Sequence, residues 1–295
     1  MPVPLYSKKT ILQMKFKRLL FSVAVMLSLQ VNAQSWISDS VSMNAGYAKD
    51  IFYSLPNGTV DSVINNNWHL GFEMIPGGMG FGGVSVIANH VRGNVKVYSL
   101  HLPGSSFMTL APSDTMTKTL LYNSDTSWDW GAMNVNSSGS LFDYGWGQYS
   151  SSDHHVYGDS LYMLNIGGTV YKLLITHYHS KPTDSIYYAF HIAKFDGSDD
   201  YLDTVWRKPN YEKKNFAFFD VVNNTFINRE PDNDKWDIIF TRNIEQVTGI
   251  PYPVTTVYSN IGVKVAEVQQ LSPSASMYST LTYLTDMHLI ASSGP

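Results

Sequence analysis

The run Trp236-Asp237-Ile238-Ile239-Phe240-Thr241 has a diverged earlier copy, Trp68-His69-Leu70-Gly71-Phe72-Glu73. Both read Trp, polar, aliphatic, small or aliphatic, Phe. Under the two-residue period of a strand, Trp236, Ile238 and Phe240 share one face, and Asp237, Ile239 and Thr241 the other, so each copy predicts a strand with a buried aromatic face. Upstream, Phe52-Tyr53-Ser54-Leu55-Pro56-Asn57-Gly58-Thr59-Val60 lines up with Phe218-Phe219-Asp220-Val221-Val222-Asn223-Asn224-Thr225-Phe226. A hairpin, a loop and a buried strand are thus used twice. Such a repeat constrains architecture before chemistry.

The rest of the chain fits an all-β, antiparallel protein. Aromatic residues reach 14%, with 19 tyrosines, and most lie in alternating or glycine-punctuated runs. At 44% hydrophobic and 15% charged, the chain can build a sizeable core. Pro56-Asn57-Gly58 and Gly167-Gly168 are hairpin signals. Strands are expected at 50–55, 68–74, 84–88, 160–166, 170–178, 185–195, 202–206, 215–222, 236–243 and 254–259. Residues 103–127 read as a long surface loop, and 263–271 as either strand or short helix. One pseudo-duplicated domain over 34–295 is expected, with a soft seam near 196–214, where Asp, Lys, Pro and Asn concentrate.

Residues 1–33 read as a signal peptide with an upstream extension. Met14-Lys15-Phe16-Lys17-Arg18 is a basic region, Leu19 to Leu29 an apolar stretch, and Val31-Asn32-Ala33 a cleavage site before Gln34. The apolar run is shorter than the roughly 20 residues a bilayer span needs, so no span is expected in the mature chain. Removing these residues takes away Lys8, Lys9, Lys15, Lys17 and Arg18 and no acid, so the formal charge moves from -4 to -9. An acidic protein without a basic cluster beyond Lys213-Lys214 is a poor partner for nucleic acid. The absence of cysteine excludes disulfides, thiolate metal sites, a cysteine nucleophile and a lipidated cysteine. The end at Gly294-Pro295, soon after the strand-like Met287 to Ala291, reads as incomplete.

Candidate chemistry rests on histidine and methionine. His177 and His179 share a face of one expected strand, at the spacing of two ligands to one metal ion, with a polar solvent face as the alternative. His154, His155 and His90 are candidate axial haem ligands or polar loop residues. Met74 and Met79 are core fillers or thioether ligands. The glycine-rich 76–83 is followed by a strand rather than a helix, which rules out a nucleotide loop; a turn, or a cradle for a flat ligand, remains. The acidic runs 196–200 and 230–234 lack calcium-loop spacing and read as turns. No hydrolase or phosphate-loop motif is present, so no enzyme is expected. Trp128, Trp130, Tyr144, Trp146 and Tyr149 offer an alternative function in carbohydrate binding or surface adhesion.

Trp236-Asp237-Ile238-Ile239-Phe240-Thr241-Arg242, with Tyr252-Pro253-Val254-Thr255 and Gly262-Val263-Lys264-Val265-Ala266 after it, resembles the core of the HmuY-like haem-binding family. Gly158-Asp159-Ser160-Leu161-Tyr162 with Tyr171-Lys172-Leu173 is similar to that family's central hairpin. The resemblance covers most of 45–270. It implies a non-enzymatic, all-β protein exported to the surface of a Gram-negative bacterium, holding haem between two His or Met side chains and delivering it to an outer-membrane receptor. No lipid-anchor cysteine is present, and neither Glu73-Met74 nor Thr241-Arg242 aligns a histidine pair with the ligand positions. The length also resembles family members that carry a C-terminal sorting tail.

Overall fold

The computed structural model describes residues 38–76, 84–179, 185–247, 249–268, 280–285 and 289–293. The signal-peptide reading and most of the glycine-rich turn with Met79 therefore lie outside the described residues, as do 269–271 of the segment expected to be strand or short helix, of which Lys264–Val265 is a strand. Strand accounts for 48% and helix for 6%, so the chain is all-β. Among the described residues no helix is long and apolar enough to cross a membrane.

In chain order the strands are β1 (Lys49–Ser54), β2 (Gly58–Ile64), β3 (Leu70–Glu73), β4 (Val86–Ala88), β5 (Val95–Pro103), β6 (Thr119–Leu121), β7 (Gly147–Ser150), β8 (His155–Gly158), β9 (Ser160–Ile166), β10 (Thr169–His179), β11 (Tyr187–Lys194), β12 (Tyr201–Trp206), β13 (Phe216–Asp220), β14 (Thr225–Ile227), β15 (Ile238–Val247), β16 (Ile250–Ser259), β17 (Lys264–Val265), β18 (Leu284–Thr285) and β19 (Leu289–Ser293). All belong to the compact unit Val41–Pro295. The main sheets are antiparallel. One runs β19-β16-β15-β1-β2, one runs β14-β13-β3-β4, and the largest runs β12-β11-β10-β9-β5-β6, with β8 beside β10 and β7 beside β8.

The repeat is exchanged between its two copies. The hairpin strand of the first, β1, pairs with the Trp strand of the second, β15, and the hairpin strand of the second, β13, pairs with β3. The registers correspond. Phe52 lies opposite Ile239, and its counterpart Phe218 lies opposite Gly71, the counterpart of Ile239. Phe52 meets Trp236 edge to face at 5.0 Å, and Phe218 meets Trp68 in the same manner at 4.8 Å. Such pairs add roughly 0.5–1.5 kcal/mol each beyond area burial.

The polar residue after each Trp does the same work in both copies. The Asp237 N–H donates to the Tyr53 carbonyl and the His69 N–H to the Phe219 carbonyl, both at 2.8 Å. Asp237 Oδ2 accepts the Leu55 N–H at 2.6 Å, and His69 Nδ1 accepts the Val221 N–H at 3.1 Å. A buried asparagine then closes each unit. Asn89 Nδ2 donates to the Asn65 and Trp68 carbonyls, and Asn260 Nδ2 to the Asn233 and Trp236 carbonyls.

The main core lies between the largest sheet and the β14-β13-β3-β4 sheet, where Phe72 stacks on Phe190 at 4.8 Å and Phe190 meets Phe219 at 5.1 Å. The expected loop 103–127 is more ordered than its Ser, Thr and Pro content implies. It holds two short 3-10 turns and β6, and buries Phe107 and Leu121.

Candidate functional site

The pairing of β8, β10, β11 and β12 sets residues in rows across the sheet. Val156, Tyr178, Tyr188 and Val205 form one row, and all four are buried in the core. Side chains alternate between faces along a strand, so the rows on either side face outward. One of these is His155, His179, Tyr187 and Trp206, directly opposite one another on four successive strands. The other begins with Tyr157 and His177.

The rings of the first row touch in sequence. Centroids are 4.3 Å apart from His155 to His179, 5.5 Å from His179 to Tyr187 and 4.3 Å from Tyr187 to Trp206. Three strand spacings make a platform about 14 Å wide. Trp206 is 50% and Tyr157 48% exposed, so large rings at both ends remain in solvent. The fold brings β8 close to β10 through Gly158, where a Cβ would overlap the Ile175 carbonyl oxygen.

Hydrogen bonds fix the state of the imidazoles. His179 Nδ1 lies 3.0 Å from the Ser185 carbonyl oxygen, which can only accept. Nδ1 therefore carries the proton in the neutral ring, leaving Nε2 as a lone-pair nitrogen, the arrangement by which a backbone carbonyl orients a metal-binding histidine. His177 Nε2 is engaged with the Tyr187 hydroxyl at 2.8 Å. His155 Nδ1 is buried without a partner among the described residues. Burial, followed by the charge of neighbouring histidines, lowers the pKa of His155 and His177, with Asp153 opposing this at His155. Asp153 accepts from the Tyr157 hydroxyl at 2.6 Å, and that bond and one from Ser150 lead in holding its carboxyl down to about 2. Burial thus favours the neutral form at His155 and His177, and the Asp153 carboxylate lies at one end of the platform.

The sequence candidates separate on this geometry. His177 and His179 share a face, as their spacing predicts, but His177 is committed to Tyr187, and the histidine directly opposite His179 is His155. Among the described residues no group of three or more His, Asp or Glu side chains could hold a metal ion, so the pair lacks the third ligand of a bare-ion site. His154, at φ 62°, leaves the strand before β8, and its Nδ1 lies 2.6 Å from the Tyr149 hydroxyl, off the platform.

His90 and Met74 are structural, which corrects their reading as haem ligands. His90 Nδ1 donates to the Val95 carbonyl at 2.8 Å, and its Nε2 accepts the Asn123 N–H at 3.2 Å, so neither nitrogen is open. The cavity beside it, about 30 Å³, has room for little more than a water. Met74 is fully buried in the main core.

The aromatic set proposed for sugars also divides. Trp146 is fully buried and donates to the Val84 carbonyl at 3.0 Å. Trp128 packs against Phe216 and Tyr258, and Tyr144 and Tyr149 pack on the main core. Of the five only Trp130 is exposed, at 38%. Sequence reasoning missed Tyr187 and Trp206. The available signal was their two-residue alternation with the core positions Tyr188 and Val205.

Comparison of the chain with models of protein families, with curated proteins and with solved structures gives no match.

Proposed function

We propose that the protein is a non-enzymatic binding protein of the cell exterior that takes a flat, metal-bearing ring such as haem on the His155–His179–Tyr187–Trp206 platform. The observation that carries this reading is the cross-strand row itself: four contacting rings on the outward face of a rigid sheet. Trp206 is exposed and the three rings beside it are half-buried, so the row presents contacting ring surface on which a flat ligand can stack. His179 is the axial ligand in this reading, because its Nε2 is the lone-pair nitrogen of a ring held by Ser185. Tyr187 and Trp206 supply apolar ring surface beside it. The HmuY-like resemblance and the signal-peptide reading of 1–33 support the ligand class, the export and a receptor as the acceptor of the cargo.

Titration of the purified chain with haemin tests the proposal. A saturable shift of the Soret band with Kd below about 10 µM, or about -7 kcal/mol, is expected. No shift at that concentration removes haem as the ligand.

A further inference from the structure

A second concave region lies away from the platform. A cleft of about 430 Å³ is lined by Ser85, Asp129, Trp130, Leu141, Asp143 and Tyr144, among others, within the roughly 300–1,000 Å³ of small-ligand sites. An adjoining hollow of about 580 Å³ shares Asp143 and is lined by Asn136, Gln148, Asp159 and Ser160, among others. The two lie on either side of this common residue, and we treat them as a two-part groove. Gly131 lets the segment after Trp130 lie against β4, since a Cβ there would overlap the Val86 carbonyl.

Three features of this groove call for a ligand. Trp130, Val135 and Leu141 are exposed large apolar side chains around one cleft. Ser85, one of the residues lining the cleft, is 2% exposed, and its hydroxyl has no hydrogen-bond partner among the described residues; a buried polar group left unpaired costs about 1–3 kcal/mol. Among its described lining residues the groove has Asp129, Asp143 and Asp159, one histidine, His101, and no Lys or Arg. Asp143 is fixed, with Oδ1 accepting the Gly145 N–H at 2.8 Å and Oδ2 the Ser138 N–H at 2.7 Å. Asp129 Oδ1 accepts the Ser127 hydroxyl.

We infer that this groove binds an uncharged oligosaccharide, with one sugar ring stacked on Trp130 and its hydroxyls donating to Asp129 and Asp143. An indole face attracts the polarised C–H groups of a pyranose, and carboxylates are strong acceptors for hydroxyl donors. Carboxylates without a facing cation repel uronic and sialic acids. The polar second hollow, with its amide and hydroxyl side chains, receives the next ring. This site is independent of the platform.

The test is a glycan array probed with the purified chain, carrying cello- and chito-oligosaccharides beside oligogalacturonate and sialylated glycans, with a Lys-rich peptide as competitor. Binding to the uncharged oligosaccharides is expected, weakened at least about tenfold, or 1.4 kcal/mol, by Trp130→Ala and by Leu141→Asp, and unchanged by Trp206→Ala. Leu141 is a well-exposed loop residue, so its variant keeps the test valid if Trp130→Ala fails to fold. The inference is overturned by absence of uncharged binders, by preference for anionic glycans, by capture of the peptide in their place, or by binding indifferent to both cleft variants.

Discussion

Protonating His90 should unfold this protein more readily in acid, and the size of the effect follows from its two hydrogen bonds. In the neutral ring the proton sits on Nδ1, facing the Val95 carbonyl, and Nε2 accepts from Asn123. A second proton on Nε2 would point at the Asn123 N–H, donor against donor. Burial, only partly offset by the Val95 bond, pushes the pKa from 6.5 down to about 4. The folded pKa lies below the unfolded one, so the unfolded chain binds the proton first. The stability contributed by the neutral ring is present above pH 6.5 and lost as pH falls toward 4. A shift of this size corresponds to at most about 3 kcal/mol, an upper bound because the residue retains some surface. His90→Gln cannot titrate and satisfies at most one of the two partners, costing about 1–3 kcal/mol at pH 7. Urea unfolding followed by tryptophan fluorescence should show the gap between wild type and variant shrinking or reversing between pH 7 and pH 4, the other titrating groups being shared by both proteins. A gap constant over that range would refute the reasoning.

Glu230 acts in the opposite direction. Burial raises its carboxyl to about 7 despite N–H donors from Phe216 and Asn215, so its contribution is complete below pH 4.5 and declines by about 3 kcal/mol as pH rises through 7. Glu230→Gln should flatten the decline between pH 5 and 8, measured by chemical denaturation. Asn260→Ala and Asn89→Ala each orphan two buried carbonyls and should cost roughly 2–4 kcal/mol, a cost that urea midpoints will report for both copies. Arg229 pairs with Asp50 at 2.7 Å, both side chains nearly inaccessible, and Arg229→Met should cost about 3 kcal/mol by leaving the buried carboxylate without its counter-charge, with Thr241 and Asn65 still donating to it, seen as a fall in Tm.

The Trp strands were legible from their internal copy, but the expected aromatic face was not what is buried: in β15 Ile239 and Thr241 are buried while Ile238 and Phe240 are half-buried, and Trp68 packs in a different cluster from Leu70 and Phe72. Their exchange was not legible, since a repeat identifies like units without saying which of them pair. The asparagine clips escaped because they do not share a spacing: Asn89 and Asn260 follow their Trp residues through return connections of different length. Of the platform, His177 and His179 were readable as one face of one strand. His155, Tyr187 and Trp206 join them only through the registers of β8, β11 and β12, which short-range pattern does not encode. Trp146 misled because an indole among Gly, Asp and Tyr reads as exposed, whereas its N–H finds the Val84 carbonyl in the core.

The most direct measurement is the haemin affinity of His179→Ala set beside that of His154→Ala, each followed by Soret absorbance. If the platform holds the ligand through His179, the first variant loses the Soret shift or binds at least about tenfold more weakly, while the second, whose histidine contacts Tyr149 off the row, binds as wild type does. Equal binding by wild type and His179→Ala would contradict the assignment.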